Sequence, residues 1–238
     1  MKERKWGNGL KYLISILWLF SMALAGYFVP YFTDNISFFK IKRLHIEGLE
    51  TIPPQVISEE IKNLKNNWLF INKIILLKNL NNRTNNAIKD IDIERIFTKN
   101  GVELKVKAQE RSPLFCVISD NDKFFFDEDG IPFQSPYINV NVLPIYGKGI
   151  DIVAKNFNKI KNLIGIVKEE TRDIYITELN TIIYLKDGTK LVLPPPFLLD
   201  ENVLYYLEKV KTYNINMRAK EVEISNRDII IIRGDRLR

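Results

Sequence analysis

Between Tyr12 and Thr33 the chain carries no charged residue: YLISILWLFSMALAGYFVPYFT. As a helix, such a stretch reaches about 33 Å, enough to cross the roughly 30 Å hydrocarbon core of a bilayer. Lys2, Arg4, Lys5 and Lys11 precede it against Glu3 alone. An excess of Lys and Arg before a first span holds the N-terminus in the cytoplasm and sends the downstream chain outward. Tyr27, Tyr31 and Phe32 gather at the outer end, where amphipathic rings favour the membrane interface. The competing reading is a cleaved signal peptide, because Ala23-Leu24-Ala25 fits a small-x-small cleavage site after an apolar core from Tyr12 to Met22. Apolar character continues to Phe32, which a cleavage region does not need and a span does. The expectation is therefore a basic cytoplasmic tail (1–11), a retained transmembrane helix (12–33) and an extracytoplasmic remainder.

That remainder is large enough for one sizeable core or two small ones: of 238 residues, 46% are hydrophobic and 27% charged. Half of the net charge of +6 sits in the first eleven residues. Elsewhere Lys and Arg are interleaved with Asp and Glu, and no run of five basic residues occurs, so no nucleic-acid footprint is indicated. The single cysteine, Cys116, cannot make an internal disulfide. It lies in a strand-like run, Leu114 to Ile118, and reads as a buried inert thiol. The single histidine, His45, falls on the polar side of the alternating stretch Ile41 to Ile46. A Cys/His or Ser/His dyad has only these members to draw on, and their spacing supports none.

Lys40 to Gly48 alternates like a half-buried strand and stops at glycine. Thr51-Ile52-Pro53-Pro54 predicts a helix start, with Thr51 or Ile52 near the cap and Ile57, Ile61 and Leu64 at helical spacing. A second helical stretch carries Ile71, Ile74, Ile75, Leu77 and Leu80. Two strands follow, around Ile91 and Ile93 and from Val102 to Val106, joined near Asn100-Gly101. The order β-α-α-β-β predicts a sheet with two helices on one face, an α+β unit. Beyond Pro113 short strands alternate with turns (LFCVIS, KFFF, IPF, VLPIYG, DIYIT, TIIYLK, TKLVLP, EVEIS), with helical windows at 152–167 and 198–213. Lys186-Asp187-Gly188-Thr189 between two alternating runs signals a hairpin. The second region is thus β-rich with flanking helices.

Two features could carry chemistry or binding. The first is the acidic cluster Asp120, Asp122, Asp127, Glu128, Asp129 and Gly130. A calcium loop with Gly130 at its sixth position would put Phe125 first and Pro136 last, which are not ligands. Carboxylates of an extracytoplasmic hydrolase working around Asp127 are the alternative function; turns bounding the strand Lys123 to Phe126 are the plainer reading. No phosphate loop, dinucleotide fingerprint or nucleophile elbow is present, so no catalytic, metal or cofactor residue is assigned. The second feature is the run Ile229-Ile230-Ile231-Ile232 near the end of the chain, an aggregation hazard unless something covers it. Either it is an interior strand of its own sheet, or it is an edge that receives a partner.

In order and spacing, several motifs resemble those of the FtsQ/DivIB family of bacterial cell-division proteins over nearly the whole chain. They are Ile41 to Gly48 with Ile52 and Ile57; Asn67-Trp68-Leu69-Phe70-Ile71; and Val106-x-x-x-Glu110-Arg111-x-Pro113. Further on come Phe126-Asp127-x-x-Gly130-x-x-Phe133, Leu143-Pro144-Ile145-Tyr146-Gly147 and Leu185-Lys186-Asp187-Gly188. The resemblance implies a POTRA domain over 38–110 and the family's β domain over 111–238. It also implies a non-enzymatic role at the division septum, with FtsB/DivIC and FtsL as partners of the β domain and other divisome proteins recruited through the POTRA domain. In that family FtsB adds to the last strand by β-augmentation. Arg227, Ile229, Ile230, Ile231, Ile232 and Arg233 would then be the partner-binding residues, with Arg227, Arg233, Arg236 and Arg238 meeting acidic groups of the partner.

Overall fold

The computed structural model describes residues 8–35, 39–64, 68–69, 71–99, 101–119, 122–147, 150–214, 220–225 and 230–233. The first element is α1 (Asn8–Asn35), whose window Lys11–Val29 has a mean hydropathy of 1.9 and is not buried by the rest of the chain. Inside it the hydroxyls of Ser15 and Ser21 donate to the carbonyls of Lys11 and Trp18, which removes the polar cost of serine in an apolar helix. A helix this apolar and this exposed is compatible with a membrane anchor and with a signal sequence. Ala23-Leu24-Ala25 lies within its unbroken length.

The protein is mixed α+β and divides into two compact units, residues 1–83 with 88–110, which include α1, and residues 84–87 with 111–238. In the first unit the order is β1 (Ile41–Glu47), α2 (Pro54–Asn63), α3 (Lys73–Arg83), β2 (Ile88–Thr98) and β3 (Gly101–Glu110). The sheet runs β1-β3-β2, with β1 parallel and β2 antiparallel to the central β3. Val102, Leu104 and Val106 of β3 are fully buried, while Glu103, Lys105 and Lys107 point the other way, the period-two pattern of a sheet covered on one face.

Two residues fix how β1 turns into α2. Gly48 has φ +83°, and a Cβ there would stand 2.2 Å from the Ala108 carbonyl oxygen, so both the backbone conformation and the space require glycine. Glu110 then gathers the turn: its carboxylate accepts the amide N–H groups of Glu50, Thr51 and Ile52 and the Thr51 hydroxyl, at 2.6–3.1 Å. With Thr51 engaged in this way, the helix cap falls on Pro53, with Pro54 in the first turn, slightly later than the sequence suggests. Burial pushes the Glu110 carboxyl up, but the hydrogen bonds from Thr51, Ile52 and Glu50 together outweigh it and hold the group below the usual carboxylate range.

The second unit is a nine-stranded sheet in the order β12-β11-β10-β9-β8-β7-β4-β5-β6. Its strands are β4 (Phe115–Ser119), β5 (Asp122–Phe126), β6 (Pro132–Phe133), β7 (Pro144–Gly147), β8 (Thr171–Ile176), β9 (Thr181–Leu185), β10 (Lys190–Leu193), β11 (Glu221–Ile224) and β12 (Ile230–Arg233). Helices α4 (Ile150–Lys155) and α5 (Phe157–Val167) connect the parallel pair β7 and β8, and α6 (Glu201–Asn214) connects the parallel pair β10 and β11. Parallel neighbours need such crossovers. Ile145, Ile174 and Ile183 are fully buried in one cluster with Ile160 and Leu163 of α5 and Leu207 of α6. The helical window expected at 152–167 is broken at Asn156, whose amide side chain and backbone N–H both donate to Ile152 O and offset the two helices. Cys116 is 2% exposed, and burial pushes its thiol up, keeping it in the unreactive form.

Replacing Gly48 with Ala is expected to destabilise the fold by about 2 kcal/mol or more, read by denaturant unfolding. Glu110→Gln removes a contribution present above the ordinary carboxyl pKa of about 4.3 and lost as pH falls through the lower folded value. Thermal unfolding of Glu110→Gln against the parent chain should show a gap at neutral pH that closes at acid pH.

Candidate functional site

β12 forms one end of the nine-stranded sheet and, among the described residues, pairs with β11 alone. The register is antiparallel: Glu221 faces Arg233, Val222 faces Ile232, Glu223 faces Ile231 and Ile224 faces Ile230. Directly opposed residues share a face of the sheet. Val222 and Ile224 are buried on the helix side, so Ile230 and Ile232 extend that apolar face outward; yet they stay 36% and 52% exposed. Ile231 and Arg233 lie on the open face, in line with Glu223 and Glu221. Of the residues expected to bind a partner, Ile230, Ile231, Ile232 and Arg233 therefore stand together on one exposed edge. Arg227, Ile229, Arg236 and Arg238 lie outside the described residues.

Charge orders the open face of this edge. Lys190 Nζ is 3.0 Å from Glu221 Oε1, and the Arg233 guanidinium reaches Glu221 at 3.6 Å and Glu223 at 3.5 Å. The Lys190 hydrogen bond is the main reason that the Glu221 carboxyl lies below its ordinary range; burial acts against it, and the charges of Lys190 and Arg233 add to it. These pairs are largely solvated, so their effect is to set the rotamer of Arg233 more than to stabilise the sheet.

Two of the other sheet ends look different. β6 is two residues long and begins with Pro132, which cannot donate to a further strand. In the first unit, β2 is a long edge but carries Asp90, Asp92 and Glu94 in alternation, a pattern that discourages pairing.

The acidic cluster resolves into a buried turn. Asp127 is 3% exposed; its Oδ1 accepts the N–H groups of Asp129 (3.0 Å) and Ile131 (2.9 Å), and its Oδ2 accepts from the Arg111 guanidinium. Arg111 Nε donates to the Asn86 carbonyl at 2.8 Å, and its backbone N–H to Ala87 O at 2.9 Å. Gly130, with φ +79°, leaves room for the Phe157 ring, which a Cβ would approach to 2.7 Å. Asp122 and Glu128 are exposed, Asp120 lies outside the described residues, and no cluster of His, Cys, Asp and Glu suited to a metal occurs among the described residues. Both oxygens of Asp127 thus hold structure.

One arrangement has a signal that pattern reading passes over. Ile145-Tyr146, Ile174-Tyr175 and Ile183-Tyr184 occupy three strands, isoleucine facing the helices and tyrosine the open face. Tyr146 stacks on Tyr175 at 4.9 Å, Tyr184 meets Tyr175 edge-on at 5.6 Å, and Leu179 at the adjoining hairpin tip is 84% exposed. A shallow concavity of about 870 Å³ opens there.

No protein-family model matches the chain. It is 23% identical, over 215 residues, to an uncharacterized protein of Aquifex aeolicus (strain VF5), a likeness that covers 90% of this chain and 95% of that protein.

Removing one member of a buried ion pair leaves the other uncompensated, at a cost of about 3–5 kcal/mol. Asp127→Asn should therefore lower the denaturant midpoint of the second unit sharply. A catalytic carboxylate would instead give a well-folded, inactive chain.

Proposed function

We propose that the protein is a bitopic scaffold of the bacterial division machinery, of the FtsQ/DivIB kind, which binds FtsB/DivIC-like and FtsL-like single-span partners during septum formation. In this reading α1 anchors the chain in the cytoplasmic membrane with its N-terminus inside, the β-α-α-β-β unit is a POTRA domain, and the nine-stranded unit is the β domain. The observation that carries the reading is the β12 edge: four consecutive exposed residues, three of them isoleucine, with one flank unpaired among the described residues. An incoming strand would supply the missing main-chain hydrogen bonds. Its apolar side chains would continue the row of Ile230 and Ile232, and its acidic ones would meet Arg233.

The motifs that suggested the family fit this assignment without enzymatic roles. Glu110 ties a turn, Arg111 and Asp127 neutralise each other in the interior, and Gly130 makes room for an aromatic ring. A hydrolase working through Asp127 would need that carboxylate to be accessible.

Capture from native membranes, followed by mass spectrometry, tests the proposal. The full chain should retain small single-span coiled-coil proteins, and a chain truncated before Ile229 should lose them. For a purified partner ectodomain, Arg233→Glu should weaken binding about tenfold, with most of the loss disappearing at high salt. Equal capture by both chains would move the binding surface elsewhere.

A further inference from the structure

Three aromatic rings close one end of the first unit. Phe39, just ahead of β1, lies 6.1 Å from Trp68, and Trp68 meets Phe97, near the end of β2, edge-on at 5.2 Å. The Trp68 N–H donates to the Phe39 carbonyl at 3.2 Å, so the group is held by backbone as well as by packing. Although part of the core side of β2, Phe97 is 56% exposed; Leu69 is 44% and Ile96 42% exposed at the same end. Lys40, Lys42 and Lys99 are exposed beside them, and the Lys42 side chain lies against Gly101 of the turn. The acidic neighbour, Glu103, is engaged by Arg43 at 3.4 Å.

Chain length says what faces this end. Asn35, the last residue of α1, is four peptide steps from Phe39, at most about 14 Å of extended chain. The headgroup layer on each side of the hydrocarbon core is itself about 5–8 Å thick. Tryptophan and its relatives partition to that layer, where the ring is buried and the indole N–H stays wet, and lysines beside them meet anionic headgroups.

We infer that this aromatic end of the first unit, Phe39, Trp68 and Phe97 with Leu69 and Ile96, docks on the outer leaflet of the membrane that α1 crosses, with Lys40, Lys42 and Lys99 against acidic lipid. The inference rests on the reading of α1 as a span. A docked end would hold the first unit at a set height above the membrane.

The three tryptophans, Trp6, Trp18 and Trp68, make both readings testable in one preparation. Full-length chain carrying Trp6→Phe and Trp18→Phe leaves Trp68 as the sole reporter; Trp6→Phe with Trp68→Phe leaves Trp18. Each is reconstituted in phosphatidylcholine and phosphatidylglycerol vesicles bearing a nitroxide at the headgroup or deep in the acyl chain. The expected result is loss of Trp68 emission chiefly to the headgroup nitroxide and of Trp18 emission chiefly to the deep one. Quenching of Trp18 with Trp68 unaffected by either nitroxide overturns the docking inference alone. Trp18 unquenched by the deep nitroxide overturns the span, and the inference with it.

Discussion

An open sheet must end, and each end leaves a row of backbone N–H and C=O groups that only water or another strand can satisfy. The nine-stranded sheet ends in two ways. At β6 the row is cut to two residues and begins with proline; at β12 it runs through three isoleucines and an arginine with no proline or inward charge to blunt it. The helix layer follows the same asymmetry: α6 covers Val222 and Ile224 of β11, while Ile230 and Ile232 extend the apolar face beyond that cover. A surface so built is stable alone only if pairing errors are discouraged, and Arg233, held over Glu221 and Glu223, supplies the one charge on the strand.

Three charged side chains, Arg111 and Asp127 buried and Glu110 partly so, position backbone. Glu110 and Arg111 are adjacent in sequence and act in different units. The first draws three amides and a hydroxyl of the β1–α2 turn around a single carboxylate; the second is neutralised by Asp127 and reaches the carbonyl of Asn86. Asn85 and Asn86 adopt φ of 49° and 64°, the left-handed region that asparagine tolerates better than most residues, so the segment 84–87 can leave α3 and join the second unit. Removing either carboxylate takes an acceptor from several donors at once, a structural cost that needs no catalytic role.

Much of the local structure can be read in the sequence. Alternation marks the strand from Ile41 to Glu47, and Asp187-Gly188 marks the β9–β10 turn, where Asp187 accepts the Thr189 N–H. Gly48 announces a tight approach that the Ala108 carbonyl explains. Strand order cannot be read in this way, because it is decided by pairings between distant segments: four successive isoleucines suit a buried central strand and an exposed edge equally well. Among the described residues β12 stands at the end of the sheet with β11 alone beside it, the edge alternative for Ile230 to Ile232. The break at Asn156 and the convergence of amides on Glu110 are likewise tertiary, since a side chain competes there with the regular backbone pattern.

Amide hydrogen exchange across residues 39–238, with and without a purified FtsB/DivIC-like ectodomain, tests the proposed docking edge most directly. Main-chain pairing predicts that the partner slows exchange in Ile230 to Arg233, because the flank away from β11 becomes a ladder. Unchanged exchange there, with protection arising on the tyrosine face around Tyr175 or along β2, would contradict the account.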